Sequence, residues 1–584
     1  MGEWACFGNL TMKRGGKQVW ACDCETDPFD HGAEIRPFIW GLYDGKEFWT
    51  FNSTISFVQF VRSKRIILYA HNGGKFDFMF LLPFIEQTKA QIINGRIVSM
   101  FLGDCELRDS FSCVPVSMKE IQKDDIDYAK MNHEVRDLHM DEITQYLKSD
   151  CVYLWELMTE YRRIAGVQKT IASNALTFAK KKGIDIGRTT HAFDKQFRQW
   201  FYGGRTECFQ PGTHENISIF DIRSAYPRAM MELHPTGSDF VRATGPIPNS
   251  FTREQIQRMF IRLECISRGA FPKRSKGGLS FPHEFDEYFV TGWEYLAALD
   301  CGLISNVKIY SYRYTNETIH FRDYVQHWYD YKRSWEKKTN PIQYTIGKIM
   351  MNSLYGKTAQ NIASYFDYVI CPAGTPVNET EGWTLYTENP KHEIHRRESL
   401  WKYKYRYGVG WTNQKLYHNV ASGASITGYC RAALLRAMHG VGIENVIYCD
   451  TDSIICKAGT ETGGLAIGPA LGEWEIEDSC APIGYFAGKK LYGIRLSRVK
   501  SDGSPAYKIA CKGSRLMFHQ FAALISGKKI AWKSETPTFH LDGSYDYLER
   551  EITATGGINQ NAKKRQGGEK KMGVRRSVYE IERV

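Results

Sequence analysis

Apolar runs that close on single acids recur along this chain. Residues 18–25 read QVWACDCE, an apolar run ending in Asp23 and Glu25. Residues two apart on a strand leave the same face, so these carboxylates share one. At 66–80, IILYAHNGGKFDFMF reads as a strand, a Gly-Gly turn and then Asp77 among aromatics. At 141–158, DEITQYLKSDCVYLWELM places Ile143, Tyr146, Leu147, Asp150, Cys151 and Leu154 on one helical stripe. An acid on an apolar stripe needs a partner, because burying a lone charge is costly. Tyr146 lies one turn before Asp150, so its hydroxyl reaches the same place. Four acids, each introduced by an apolar element, point to a metal-dependent nuclease site within the first 150 residues.

The same pattern returns in the second half. Tyr448-Cys449-Asp450-Thr451-Asp452-Ser453 lies between Val446-Ile447 and Ile454-Ile455-Cys456. Apolar runs around a short polar tip predict a β-hairpin. Asp450 and Asp452 are two apart, so an extended strand sends both carboxylates to one face. Carboxylates that close repel unless a cation sits between them, and oxygen-only ligands suit Mg²⁺. Residues 217–227, ISIFDIRSAYP, predict a strand delivering Asp221 at its end, with Tyr226-Pro227 in a turn. Residues 320–356 predict two helices around Thr339-Asn340-Pro341, with Asn340 as cap and Pro341 in the first turn. The second helix should carry Lys348, Asn352 and Tyr355 on one face and stop at Gly356. That face offers a point charge for phosphate, an amide, and a flat ring for a base pair. Phe201-Tyr202-Gly203-Gly204 contains two glycines, which allow the backbone to approach a phosphate or sugar closely.

Composition narrows the setting. A chain of 584 residues is too long for one core and predicts roughly three or four domains or subdomains. Its formal charge of +11 and pI near 8.8 favour a polyanionic partner. Fifteen scattered cysteines with no C-x-x-C pair argue against a zinc ribbon or disulfide framework, and for a reducing compartment. No apolar run is long enough to span a bilayer and no signal peptide is evident, so a cytosolic location is expected. Residues 160–200 are basic and helical in tone, and read as the connection between two domains. WKYKYRYGVGW at 401–411 suits either a solvent-facing strand or a nucleic-acid groove. The tail 561–584 holds eight Lys or Arg against three Glu, fitting a contact to duplex phosphates or a solvated tail.

In their order along the chain, these motifs resemble the family B DNA polymerases. Asp23-x-Glu25, Asn72 to Asp77 and Tyr146-x-x-x-Asp150 resemble the three motifs of DnaQ-type 3′–5′ proofreading exonucleases. That resemblance implies that Asp23, Glu25, Asp77 and Asp150 hold two metal ions and that Tyr146 orients the attacking water. It also implies that Thr26, Asn72 and Phe76 hold the frayed 3′ end. Ser110, Lys123 and Tyr128 resemble smaller DNA-contacting elements of the protein-primed branch. Phe201 to Gly204 resemble the Y-x-G-G element that handles template strand, with Phe201 at the tyrosine position and Tyr202 one place later. Residues 217–227 resemble motif A, which implies that Asp221 ligates metal and Tyr226 packs under the incoming sugar. KIMMNSLYG at 348–356 resembles motif B, which implies that Lys348, Asn352 and Tyr355 meet the dNTP. Thr427 and Arg431, at the expected start of a helix, resemble a template-primer element. YCDTDS resembles motif C, with Asp452 the shared metal ligand and Asp450 a supporting acid. Lys490-Leu491-Tyr492 resembles the K-x-Y element at the primer terminus. ETDPF, YAHNGGKFDF and YLKSDC look most like tectivirus-type phage polymerases.

The implied fold class is α/β multidomain, an RNase H-like exonuclease domain followed by a right-hand polymerase of family B topology. The exonuclease domain is expected over 1–190 and the polymerase over 191–584. Within the latter the expected parts are palm at 195–235 and 421–500, fingers at 319–356, and thumb with basic tail at 501–584. Two terminal-protein regions are expected at 236–318 and 357–420. The implied function is protein-primed, DNA-directed synthesis of a linear phage or mobile-element genome, with proofreading, in the cytoplasm of a bacterial host. The cofactor is Mg²⁺, two per active site, with Mn²⁺ as a substitute. The partners are template-primer DNA, dNTPs and a terminal protein serving as primer. Three other readings compete: a polymerase primed by nucleic acid, a dedicated exonuclease with a degenerate second half, and a noncatalytic nucleic-acid binder. Intact Asp221, Lys348, Tyr355 and Asp452 weigh against the second, and the placed acids and aromatics against the third.

Overall fold

Gln18–Thr26 forms the strand predicted for QVWACDCE. In the computed structural model it pairs parallel with Ile66–Ala70 and antiparallel with Pro37–Tyr43. Described are residues 17–29, 34–275, 278–361, 365–399, 418–554 and 576–577. The aromatic-basic run 401–411 and nearly all of the tail 561–584 lie outside them. The expected helix is Met140–Ile164, and its whole predicted stripe is buried. It packs closely on Pro37–Tyr43, since a Cβ added at Gly41 would lie 2.7 Å from Leu147 Cγ. Fully burying each such aliphatic side chain stabilises by about 1.5–3 kcal/mol.

The sheet around this strand has ten members. Three of them, Phe366–Pro372, Thr384–Glu388 and His392–Glu398, come from the stretch 357–420, which the sequence placed in the second domain. They join through Phe366–Pro372, whose Tyr368 lies opposite Ala90 of Thr88–Ile93. Such pairing covers what would otherwise be an open edge. Phe539 packs on Phe76 and Phe80 of the same core, with ring centroids 5.3 and 5.8 Å away.

A seven-stranded sheet carries the second acid group. Val446–Asp450 and Ser453–Lys457 form the predicted hairpin. Ser453–Lys457 lies against Gly212–Ile222, with Ser453 opposite Asp221. The expected domain boundary at 500 falls inside another hairpin, because Leu491–Val499 pairs with Pro505–Cys511. The helix Val420–Gly440 begins seven residues before Thr427, so Thr427 and Arg431 sit in its interior. A separate four-stranded sheet spans Val241–Tyr314, and the helix Gly292–Asp300 beside it contacts Val420–Gly440.

Three local expectations fail. The helix Pro341–Met351 stops at Asn352, and Tyr355 opens a separate helix, Tyr355–Thr358. Asn352 Nδ2 donates to the Lys348 carbonyl at 2.8 Å, and Ser353 Oγ to that of Ile349 at 2.5 Å. Side chains bonding back to carbonyls compete with the helical ladder. Lys348, Asn352 and Tyr355 therefore share no single helix face, and Gly356 caps nothing. Pro341 takes the expected first helical position, but Asn340 makes no side-chain cap bond. Tyr226-Pro227 belongs to the first turn of a helix, Ala225–Met230, not to an open turn. Proline is tolerated there because first-turn N–H groups lack intrahelical acceptors. Among the described residues no helix is long and apolar enough to cross a membrane.

Candidate active sites

The first site forms where the strand Gln18–Thr26 meets the helix Met140–Ile164. Carboxylate oxygens of Asp23, Glu25 and Asp150 lie within 4.8 Å of one another. Asp77, the first residue of the short helix Asp77–Leu81, accepts from Cys24 Sγ at 3.3 Å. Glu25, Asp77 and Asp150 are buried. Lys123 Nζ sits 2.6 Å from Asp150 Oδ2, and the hydroxyls of Tyr128 and Tyr146 lie 3.1 Å apart. A cleft of about 220 Å³ opens beside Asp23, Lys123 and Asp150.

Crowded acids in low dielectric hold their protons. Burial, then Asp150, pushes Glu25 up to about 8. Burial pushes Asp77 up to about 6, the Cys24 hydrogen bond opposing it. Burial and Asp77 raise Asp23 strongly, and burial raises Asp150 against the pull of Lys123. Lys123 is itself partly buried, which opposes its charge, yet Asp23 and Asp150 outweigh that and raise its pKa. Asp77 Oδ2 and Asp150 Oδ1 are buried without a hydrogen-bond partner. Buried acceptors are seldom left unsatisfied, and a cation would satisfy both.

The second site lies at the tip of the 446–457 hairpin. Thr451 takes a positive φ of 58°, and Asp452 N–H closes a tight turn onto the Asp450 carbonyl at 2.6 Å. The strand therefore ends at Asp450, and strand alternation does not place Asp452 on its face, as the sequence had implied. The two acids have different surroundings. Asp450 pairs with the Lys490 ammonium and accepts from Thr206 Oγ1 at 3.0 Å. Asp452 carries no such ion pair among the described residues and lies near enough to Asp221 to act on its titration. Burial, then Asp452, pushes Asp221 up to about 7; burial, then Asp450, pushes Asp452 up to about 6. Beside them the rings of Tyr226 and Tyr355 stack with centroids 4.2 Å apart and planes 1° from parallel. Lys348 is exposed on its helix.

Several expected DNA contacts are placed otherwise. Ser110 is fully buried, its hydroxyl 2.9 Å from His71 Nδ1. Thr427 is buried and donates to the Ala424 carbonyl. Arg431 is buried too: Nε donates to Glu294 at 2.7 Å, and Nη1 to the carbonyls of Tyr202 and Gly203 at 2.7 and 2.8 Å. In this structure Ser110, Thr427 and Arg431 are thus buried and bonded within the protein rather than displayed on its surface. Tyr492 packs its ring on Tyr448 and Phe486, and Tyr202 is buried against Arg431 and Arg274. Thr26 is buried, Asn72 accepts from Arg96 at 2.8 Å, and Phe76 and Phe201 are half-buried. Gly203 is exposed, while Gly204 backs onto Thr451. Sequence reading missed Thr206 and Glu294, which act across 244 and 137 residues respectively. Neither carries a local signal.

Residues 117–404 match the family model described as DNA polymerase type B, organellar and viral. A DNA-directed DNA polymerase of Enterobacteria phage PRD1 is 32% identical, over 93% of this chain and 99% of the relative. The DNA polymerase of Bacillus phage phi29 is 24% identical, over 86% of this chain and 92% of its own. Among solved structures, phi29 DNA polymerase complexed with primer-template DNA and incoming nucleotide substrates superposes with a TM-score of 0.67. That match has 19% identity and covers 92% of this chain and all of the other. The mixed α/β architecture is that of a family B DNA polymerase. Within that class the chain belongs to the protein-primed family B DNA polymerases of phage type, and it is a DNA-directed DNA polymerase. Polymerases of this family use divalent metal ions.

Proposed function

We propose that this polymerase runs two metal-dependent phosphoryl-transfer sites, one synthesising DNA and one proofreading it. The observation that carries the reading is the pair of separate carboxylate groups, Asp221 with Asp452 and Asp23 with Glu25, Asp77 and Asp150. Each is held at raised pKa by burial and neighbouring acids. Both donor sets are oxygen-only and fit Mg²⁺. In the first set, the unpartnered oxygens of Asp77 and Asp150 favour the same assignment. The chemistry Mg²⁺ supplies when bound is charge neutralisation at phosphate and acidification of the attacking hydroxyl.

The chain's own residues do the rest. Asp221 and Asp452 would hold the cation, which would neutralise charge on the reacting phosphates, while Asp450, already paired with Lys490, fixes the hairpin tip. Tyr226, braced by Tyr355, closes the space a 2′-hydroxyl would need. Lys348 meets the triphosphate, with Asn352 beside it. Tyr146, braced by Tyr128, orients water at the proofreading site, and Asn72 and Phe76 steady the frayed strand. Residues up to about 190 make the exonuclease domain, and later residues make palm, fingers and thumb. The stretch 366–399 hydrogen-bonds to the exonuclease sheet while belonging functionally to a terminal-protein region, as 236–318 does.

The substrates are dNTPs on a primed template, and a terminal protein supplies the first hydroxyl, in the host cytoplasm. The phi29 enzyme's complex with primer-template and nucleotides supports the DNA and dNTP part. The test is a pair of variants assayed side by side. Asp452→Ala should abolish incorporation, on the order of 10³-fold, and leave single-strand degradation intact. Asp23→Ala with Glu25→Ala should do the reverse. Loss of both activities in each variant would mean one shared site. Nucleotide transfer to a candidate terminal protein, beside extension of a DNA primer, tests the priming step.

A further inference from the structure

The outer face of the ten-stranded sheet carries a mixed donor set that neither acid group uses. Phe366–Pro372 and His392–Glu398 pair antiparallel, with Cys371 opposite Glu393 and Val369 opposite His395. Opposed residues share a face, as do residues two apart on a strand. Cys371, Glu393 and His395 therefore stand together, while Ile370 and Ile394 point the other way into the core. Cys371 Sγ, a His395 ring nitrogen and a Glu393 carboxylate oxygen lie within 4.8 Å of one another. Cys371 is fully buried, and the His395 and Glu393 side chains are only 14% and 19% exposed. The turn after Pro372 closes over them, Gly374 N–H donating to Glu393 Oε1 at 2.9 Å. His395 Nε2 sits 2.9 Å from Glu393 Oε2, so the ring is already turned toward the carboxylate.

A hydrogen-bonded His–Glu pair accounts for two of these residues, while the third, Cys371, makes only a long contact, its Sγ donating to the Glu393 carbonyl at 3.8 Å. A cysteine acting as a small apolar filler belongs on the core face, yet this one lies on the opposite face beside two ligating groups. Sulfur, nitrogen and oxygen together define a borderline-soft site unlike the oxygen-only clusters. Such a set selects zinc-class ions over Mg²⁺. We propose that Cys371, Glu393 and His395 bind one zinc-class divalent cation, with water as the fourth ligand. Binding releases the thiol proton to solvent and replaces the His–Glu hydrogen bond by two metal bonds. The ion pins the 366–398 strands and the turn at Gly374 to one another.

The test uses the full-length protein, stripped with chelator and titrated with Co²⁺. One equivalent should give the intense thiolate-to-cobalt charge-transfer absorption, and Zn²⁺ should then displace it. Asp221 and Asp452 offer cobalt oxygen alone, and because the Cys24 thiol touches Asp77 in the other acid group, the band is assigned by its loss in the two variants that follow. Cys371→Ser and His395→Gln should each abolish the band. His395 is partly exposed, so His395→Gln stays informative if Cys371→Ser fails to fold. A folded wild type without the band, or a band undiminished in His395→Gln, overturns the proposal.

Discussion

Removing the Glu294 carboxylate should disturb the polymerase site without touching it. Glu294 and Arg431 are each 2% exposed and meet at 2.7 Å. Glu294 Oε2 also accepts from the Thr291 amide and hydroxyl at the start of its helix. Arg431 in turn holds the carbonyls of Tyr202 and Gly203. The next residues lean on the hairpin tip: Thr451 N–H donates to the Arg205 carbonyl at 2.6 Å, and a Cβ on Gly204 would lie 2.5 Å from Thr451 Oγ1. A buried pair that loses one partner costs about 3–5 kcal/mol, because the remaining charge stays buried. Loss of the capping interaction adds about 1 kcal/mol. Against a total stability of roughly 5–15 kcal/mol for a domain, Glu294→Ala should lower the urea midpoint markedly. Glu294→Gln keeps a cap acceptor and loses the charge, so it should cost about 1.5–3 kcal/mol. At a temperature where Glu294→Gln is folded, dNTP incorporation should fall by up to about 10²-fold, the scale set by a displaced catalytic group. Single-strand degradation should persist. A Glu294→Ala protein that melts and incorporates like the wild type refutes this chain of contacts.

The remaining predictions concern the sites directly. Lys123→Ala removes the ammonium paired with Asp150, so single-strand degradation should drop at least about tenfold while incorporation stays normal; equal loss of both would deny it a local role. Tyr226→Val removes the ring stacked on Tyr355 and should raise the ratio of rNTP to dNTP incorporation; an unchanged ratio places sugar selection elsewhere. Glu25 at about 8 and Asp221 at about 7 lie above their unfolded values. Without divalent cation, the stability they cost therefore appears as pH rises from the unfolded pKa through these values. Mg²⁺ should accordingly raise the melting temperature more at pH 8 than at pH 6, and an equal gain at both would remove these acids from the linkage.

What the sequence made legible was local. The 140–164 stripe, the 446–457 hairpin and the Asp23–Glu25 face all follow from periodicities of 3.6 and 2. The failures have physical sources. A positive φ at Thr451 ends the strand at Asp450, two residues before Asp452. Asn352 and Ser353 turn their side chains onto the helix backbone and stop it before Tyr355. The attachment of 366–398 to the first sheet depends on pairing with Thr88–Ile93, which no local pattern records. Arg431 reads as a template-primer contact from its resemblance to a family element; only the fold shows Glu294 buried against it.

Two lysines sort the acids of both sites. Lys490 occupies Asp450, and Thr206 takes its other oxygen. Asp221 and Asp452 keep raised pKa values although Lys508, itself paired with Glu477, pulls both down, and a compact divalent cation relieves such crowding better than a tethered ammonium. At the other site Lys123 occupies Asp150 Oδ2 but leaves Oδ1 buried and unpartnered. Asp150 can thus keep its lysine while offering an oxygen to a cation shared with Asp23 and Glu25. In each site a fixed ammonium holds one acid in place. The remaining acids, whose charge it only partly offsets, are those on which cation binding acts most strongly, and burial among like charges keeps their pKa values raised.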